Sequence, residues 1–450
     1  MLLKQPVSQS DRLLSRTHPV TVGALPKAAL LHRPLRSDSA AEGTSRQHSI
    51  SGQFTLSAAF RPATSIKAVA TEPAQQQKKI SFAHCQRLED FVQILQAIVD
   101  AGKAPKILLP AFVDLYTNYS NAILNSGLQT ATQHNVSSVM GAIADRVLHE
   151  FVEPYKFPVV HKRLLAPYDY YAFGQNYVRN LINFRHSFIG SVERFTEVQR
   201  QLEAGDNVIF LANHQTEADP GVFALLLEAS HPKLATEVIY VAGDRVIQDP
   251  LCKPFSMGRN LYCVYSKKHL DDIPELRSEK MASNRRAVGA MLKELGQGGR
   301  LVWIAPSGGR DRPDAEGQWA PDKFDPSAVE LMRHLAAKSG KPAHFWPFAM
   351  LSWRVMPPPT QKEKALGERR LTHFSATGIS LGEELDVPGI LSGISQEEKA
   401  QRQAALAYAA YAAVAQEYAT LETATQAAED EQMDGIPSHF SQPFPMPALK

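Results

Sequence analysis

The sequence predicts an α/β fold, in which a mixed β-sheet flanked by helices follows a smaller N-terminal helical bundle. Between residues 78 and 154, apolar side chains recur at three- and four-residue steps, as they do on amphipathic helices. From residue 155 onwards, short apolar runs of strand length alternate with amphipathic helices, which is typical of an α/β sheet. The chain of 450 residues exceeds what one hydrophobic core usually fills, so we expect more than one packed unit.

The first 70 residues differ from the rest and predict a disordered transit peptide. They hold nine Lys or Arg against three Asp or Glu, many serines and five prolines, with no sustained hydrophobic period. Basic, serine-rich and acid-poor segments of this kind are typical of organelle import signals. Residues 66–70 resemble a plastid processing site, which would place the mature start near Val69. A disordered tail without a targeting role is the alternative.

Two units are predicted after this segment, a helical bundle over residues 78–154 and an α/β domain over residues 155–450. Within the bundle, three helical faces are predicted, at 88–99, 109–128 and 137–151. The α/β domain has five predicted strands, at 207–211, 237–242, 261–265, 300–305 and 343–350. Its predicted helices are 192–204, 221–230, 280–295 and an Ala-rich final helix over 396–428 that packs back on the domain.

Composition and charge exclude several classes of protein. Apolar residues make up 44% and charged residues 21%, as in ordinary globular proteins. No run approaches the roughly 18 apolar residues of a membrane-spanning helix. After the first 70 residues, 39 basic and 43 acidic residues remain, which disfavours a nucleic-acid binder. The three cysteines are too scattered for a disulfide framework or a zinc site, and no nucleotide or metal motif is present, so no cofactor and no metal is predicted.

His214 and Asp219, with four residues between them, form a candidate catalytic pair. They follow the predicted strand at 207–211 and precede a predicted helix. Asp219 before Pro220 also fits a simple helix N-cap, which is the alternative role for this carboxylate. If the loop folds back, the carboxylate can hold one imidazole nitrogen while the other takes a proton from an alcohol.

Basic residues follow two other predicted strands. Arg310 and Arg312 alternate in the glycine-containing loop 306–313, so both guanidinium groups can point to one side of an extended backbone. Paired arginine forks suit a phosphate. Lys268 and His269 follow the predicted strand at 261–265. Either group could instead be ordinary solvated charge.

The stretch 213–220, Asn-His-Gln-Thr-Glu-Ala-Asp-Pro, resembles the glycerolipid acyltransferase superfamily and, within it, the plastid glycerol-3-phosphate acyltransferases. The resemblance spans roughly residue 78 to the C-terminus, and it departs at Ala212, where a serine is expected. It implies that His214 is the general base, that Asp219 orients it, and that no covalent acyl-enzyme forms. It also implies four side chains that bind the phosphate of glycerol 3-phosphate: Lys268, His269, Arg310 and Arg312.

The implied reaction transfers an acyl group from acyl carrier protein to the sn-1 hydroxyl of glycerol 3-phosphate in the plastid stroma, giving lysophosphatidic acid. Because the carrier is acidic, a basic docking surface is expected. Arg285–Arg286 and Arg369–Arg370 are the candidate pairs.

Three other functions stay open from the sequence. The first is a lysophosphatidate acyltransferase of the same superfamily. The second is a serine esterase using Ser307, although Ala305 stands where the glycine of a nucleophile elbow belongs. The third is a catalytically silent module that binds lipid or carrier protein, which turnover by the purified protein would exclude.

Overall fold

The computed structural model describes residues 81–267, 270–359 and 368–443. The predicted transit peptide lies outside the described residues, and so do Lys268 and His269. The predicted fold class is confirmed: a mixed nine-stranded sheet is flanked by helices and follows a helical N-terminal region.

The N-terminal region contains three helices, α1 (Leu88–Asp100), α2 (Leu108–Leu124) and α3 (Gln133–Val152), close to the predicted faces. Aromatic side chains hold α1 against α2, since the ring of Phe91 lies 6.1 Å from that of Phe112 and 5.1 Å from that of Tyr116. Their buried side chains belong to the same hydrophobic cluster as one face of the sheet. A separate bundle ending at residue 154 therefore stays a prediction.

Strands and helices alternate through the rest of the chain. The strands are β1 (Val160–His161), β2 (Phe188–Gly190), β3 (Asn207–Ala212), β4 (Ile239–Gly243), β5 (Asn260–Val264), β6 (Leu301–Ile304), β7 (Ala343–Leu351), β8 (Gly378–Leu381) and β9 (Phe440–Ser441). The helices are α4 (Tyr170–Arg179), α5 (Val192–Glu203), α6 (Asp219–Leu227), α7 (Pro232–Glu237), α8 (Arg245–Gln248), α9 (Lys253–Met257), α10 (Arg277–Leu295), α11 (Pro326–Lys338), α12 (Val387–Ile390) and α13 (Lys399–Glu429).

Most predicted elements match these bounds, but the strand predicted at 237–242 begins too early. Pro232 starts the short helix α7, which runs to Glu237, so β4 begins only at Ile239. Four short strands, β1, β2, β8 and β9, were not predicted because two to four residues carry no detectable alternation.

The strand order β1-β5-β4-β6-β3-β7-β8-β2-β9 places β3 at the centre of the sheet. Strands β5, β4, β6, β3 and β7 are parallel, while β8 runs antiparallel to β7. All six residues of β3 are buried, and its Leu211 pairs with Ile304 of β6. The loops that follow β3 and β6 therefore meet at one edge of the sheet.

Two hydrophobic clusters cover the two faces of the sheet. Helices α4, α6 and α9 contribute to the cluster that includes the N-terminal helices. Helices α10, α11 and the 31-residue α13 contribute to the other, with Leu406, Val414 and Leu421 of α13 buried. The final helix thus packs back on the domain as predicted. None of the helices in the described part of the chain has the combined length and apolar character needed to cross a membrane.

Candidate active site

The loop after β3 is tied by its own polar side chains to the end of β7 and to the residues that follow it. Three of them bind backbone groups there: Asn213 binds Met350, Gln215 binds Ser352, and Thr216 binds Met356. These three loop side chains are fully buried, so their hydrogen bonds are shielded from water. The loop that carries His214 is therefore held in one place relative to the sheet.

His214 and Asp219 lie in contact, as the sequence predicts. Nδ1 of His214 is 2.7 Å from Oδ2 of Asp219, which is 1% exposed. The carboxylate also accepts hydrogen bonds from the backbone N–H groups of Gln215 (2.8 Å) and Thr216 (3.1 Å) and from the Ser352 hydroxyl (2.6 Å). These four contacts fix the position of the carboxylate.

These contacts argue against a simple capping role for Asp219. An N-cap carboxylate accepts from the amides of the first helical turn. Asp219 instead begins α6, and its carboxylate accepts from amides of the loop that precedes the helix. The carboxylate of Asp219 is therefore directed towards the loop that carries His214 and not towards the first turn of α6.

The other nitrogen of His214, Nε2, is available for a proton. The side chain of His214 is 25% exposed, and no hydrogen bond to Nε2 is found within the described part of the chain. With Nδ1 as the donor to Asp219, Nε2 carries the lone pair of a neutral imidazole. The arrangement can take a proton from a hydroxyl.

The arginine loop contacts the His214 loop directly. The backbone N–H of Asp311 donates to the carbonyl of His214 at 2.6 Å. A turn at Gly308, with a φ of 68°, leads into this loop, and the Ser307 hydroxyl donates to the Gly309 carbonyl at 3.0 Å. The loop therefore brings Arg310 and Arg312 to the neighbourhood of the imidazole.

Arg310 is held by two acidic side chains. Its guanidinium binds both carboxylate oxygens of Glu368, at 2.6 and 2.9 Å, and lies 3.7 Å from Glu217 of the His214 loop. Burial disfavours its charge, but the hydrogen bond to Glu368 and the charge of Glu217 outweigh burial and raise the pKa of Arg310. Arg310 stays charged and connects three segments of the chain.

Arg370 belongs to the same group of charged side chains as Arg310, Glu217 and Glu368, and it does not lie on the surface. Its side chain is 9% exposed and binds Glu217 at 2.9 Å and Asp249 at 3.2 Å. Its interpretation as a docking residue for carrier protein is therefore wrong, because a buried guanidinium cannot meet a protein partner. Arg369 is 63% exposed and pairs with Asp114 at 2.8 Å, and Arg285 and Arg286 are exposed.

Arg312 differs from Arg310 because it binds carbonyl groups. Its Nη1 donates to the carbonyls of Arg310 (3.0 Å) and Asp311 (2.9 Å), and its buried Nε has no partner among the described residues. Burial and the charge of Arg310 lower the pKa of Arg312. This guanidinium retains a donor for an anion.

Asp311 is a fully buried carboxyl, with Oδ2 accepting from the Asn213 amide and Oδ1 from the backbone of Asp322. Burial raises the pKa of Asp311 to about 7. The folded chain therefore holds this proton more tightly than the unfolded chain, whose Asp pKa is about 3.9. The resulting contribution to stability is fully present below about pH 3.9 and is lost as the pH rises through about 7.

Asp311→Asn is expected to remove this pH dependence. The parent chain should lose on the order of 4 kcal/mol of this stability between pH 4 and pH 8, and the variant should not. The difference between the two free energies of unfolding should therefore shift by that amount in favour of the variant. Urea unfolding of both chains across this range measures the difference. Two parallel stability curves would contradict it.

The structure brings together four of the six residues predicted for the site: His214, Asp219, Arg310 and Arg312. It also adds residues that the sequence did not predict for the site: Asn213, Glu217, Glu368 and Arg370, of which Arg370 was expected only as a docking residue. Asn213 and Glu217 lay within the stretch that carried the resemblance, but nothing in a sequence indicates that Arg370 returns to Glu217 across 153 positions. Ala212, where a serine was expected, is buried at the end of β3.

Comparisons with known proteins give matches over most of the chain. The family model described as Acyltransferase matches residues 194–351, and the one described as Glycerol-3-phosphate acyltransferase N-terminal matches residues 79–155. The chain is 43% identical to a chloroplastic glycerol-3-phosphate acyltransferase of Carthamus tinctorius over 366 residues, 81% of this chain and 78% of that protein. It is 39% identical to the one of Pisum sativum over 429 residues, 95% of this chain and 93% of the relative. An Arabidopsis thaliana protein of the same name is 41% identical, with 80% and 78% covered. The chain therefore belongs to the family of chloroplastic glycerol-3-phosphate acyltransferases.

Proposed function

We propose that this chain transfers an acyl group from acyl carrier protein to the sn-1 hydroxyl of glycerol 3-phosphate in the plastid stroma. The observation that carries the proposal is the imidazole of His214, whose Nδ1 is held by an Asp219 carboxylate with three further donors. A base oriented in this way typically accelerates proton transfer by about 10²- to 10⁴-fold.

In the proposed reaction, Nε2 of His214 takes the hydroxyl proton as the hydroxyl oxygen attacks the thioester carbonyl carbon. The carbon–sulfur bond then breaks, and the leaving thiolate receives the proton from the imidazolium. Asp219 stabilises the imidazolium between these steps. The products are lysophosphatidic acid and the free carrier thiol, and no acyl-enzyme is formed.

The phosphate of the acceptor is proposed to bind Arg310 and Arg312 together with Lys268 and His269. The hydrogen bond from Asp311 to the His214 carbonyl supports this arrangement, because it keeps the arginine loop beside the base. The uncommitted Nε of Arg312 also supports it. The exposed Arg285 and Arg286 remain candidates for contact with the acidic carrier.

Turnover by the purified chain tests the proposal. We expect rapid acylation of glycerol 3-phosphate by acyl carrier protein thioesters, weak acylation of unphosphorylated glycerol, and 1-acyl product by positional analysis. Lysophosphatidate as the better acceptor would instead support the alternative acyltransferase. Absence of transfer to either acceptor would reject the proposal.

A further inference from the structure

A buried tryptophan next to the base has an indole N–H without a hydrogen-bond acceptor among the described residues. Trp303 of β6 is 5% exposed, and its ring meets that of His214 edge-on, with 5.7 Å between centroids and 85° between planes. Its Nε1 has no partner among the described residues. The hydroxyl of the neighbouring Tyr240 could accept, since the two rings lie 5.7 Å apart, but it too has no partner there.

An unsatisfied buried donor lowers stability, so its presence beside a reactive group calls for an explanation. The same core shows that an indole can be satisfied. Trp346 of β7 is 4% exposed and donates its N–H to Gln201 at 3.0 Å. The indole ring that carries the unpaired N–H, that of Trp303, lies instead next to the imidazole that is proposed to take the substrate proton.

The proposed reaction needs a donor at this place. When the hydroxyl oxygen attacks, the new carbon–oxygen bond forms and one carbonyl electron pair moves onto the carbonyl oxygen. That pair returns when the carbon–sulfur bond breaks. The hydroxyl oxygen lies about 2.8 Å from Nε2 of the base and about 3 Å from the carbonyl carbon before attack. The carbonyl oxygen is thus within a few ångströms of the imidazole, as Trp303 is.

We propose that Nε1–H of Trp303 donates a hydrogen bond to the carbonyl oxygen of the acyl thioester. The bond strengthens as that oxygen becomes negatively charged, because a donor buried away from water interacts more strongly with developing charge. The inference rests on the proposed acyl transfer. Trp303 is then a catalytic residue that contacts the acyl donor and not the acceptor phosphate.

Trp303→Phe tests the proposal because it removes the N–H and keeps an aromatic ring against His214. We expect kcat for transfer from acyl carrier protein to fall about 10²- to 10³-fold. The KM for glycerol 3-phosphate and the midpoint of the kcat–pH profile should stay unchanged, because the phosphate site and the His214–Asp219 pair are intact. A near-normal kcat, or a shifted pH midpoint that accounts for the loss, would overturn the proposal.

Two control variants separate this effect from packing. Trp346→Phe makes the same change in the same core and breaks an existing hydrogen bond, so it should lower the melting temperature at least as much without the loss in kcat. Tyr262→Phe removes another unpaired buried polar group, from the cluster on the opposite face of the sheet, and should also leave kcat unchanged. Equal losses of kcat in the controls would assign the effect of Trp303→Phe to general disruption.

A binding measurement gives a readout that does not depend on turnover. A trifluoromethyl ketone analogue of the acyl thioester, attached to acyl carrier protein, places a hydrated or anionic carbonyl where the tetrahedral intermediate forms. Its Kd should weaken in Trp303→Phe by a factor similar to the fall in kcat, because an analogue of the transition state requires the same donor. An unchanged Kd would overturn the assignment of Trp303. If the parent chain itself shows no turnover, the proposed function is rejected instead.

Discussion

His214→Ala is expected to lower kcat by at least about 10²- to 10⁴-fold while the fold stays intact. The loss follows from the removal of the proposed proton acceptor. The fold should persist because His214 is only one of four donors to Asp219, and the two loop amides and the Ser352 hydroxyl remain. Steady-state transfer of an acyl group to glycerol 3-phosphate measures kcat, and thermal unfolding measures the fold.

The chain provides a matched control for this experiment in His344. Its Nδ1 lies 2.7 Å from Glu384, and its side chain is 23% exposed against 25% for His214. It stands near the start of β7, at the opposite edge of the sheet. His344→Ala should therefore cost stability without loss of transfer. Substantial activity in His214→Ala, or an equal loss in His344→Ala, would exclude the general-base role.

The elements around this loop were predictable because several local signals agree there. A run of apolar residues ends at Ala212, and Pro220 stands at the start of the next helix, so the sequence alone predicts a strand, a loop and a helix. The pairing of His214 with Asp219 is likewise local, since four residues separate them. Parallel neighbours β3 and β6 then account for the meeting of the two functional loops.

The charge cluster formed by Arg310, Arg370, Glu217, Glu368 and Asp249 could not be predicted, because it depends on contacts between distant positions. Arg310 meets Glu368 over 58 positions, and Arg370 meets Glu217 over 153. Adjacent arginines in a sequence look alike, yet Arg369 is exposed while Arg370 is buried among carboxylates. Only the packed chain distinguishes a solvated charge from a buried one.

The contacts of this charge cluster distinguish Arg310 from Arg312, which have the same predicted role in the sequence. Arg310→Ala and Arg312→Ala should both raise the KM for glycerol 3-phosphate about 10- to 100-fold, as expected for loss of a charged hydrogen bond. Only Arg310→Ala should also lower the free energy of unfolding, by about 3 kcal/mol, because it leaves Glu368 buried without its cation. Glu368 is 7% exposed in this pair. Arg312 binds backbone carbonyls, so its removal leaves no buried carboxylate unpaired.

The double variant Arg310→Met with Glu368→Gln distinguishes the structural part from the binding part. Removing both charges eliminates the uncompensated carboxylate, so the free energy of unfolding should recover most of the loss seen in Arg310→Ala. The KM for glycerol 3-phosphate should stay high, because the proposed phosphate ligand is still absent. Urea unfolding measures the free energy of unfolding and initial-rate kinetics measure the KM, in the parent chain, the two single variants and the double variant. If the double variant also restored the KM for glycerol 3-phosphate, Arg310 would act only by holding Glu368 and Glu217 in place. Binding of the phosphate would then depend on the other cationic residues of the site.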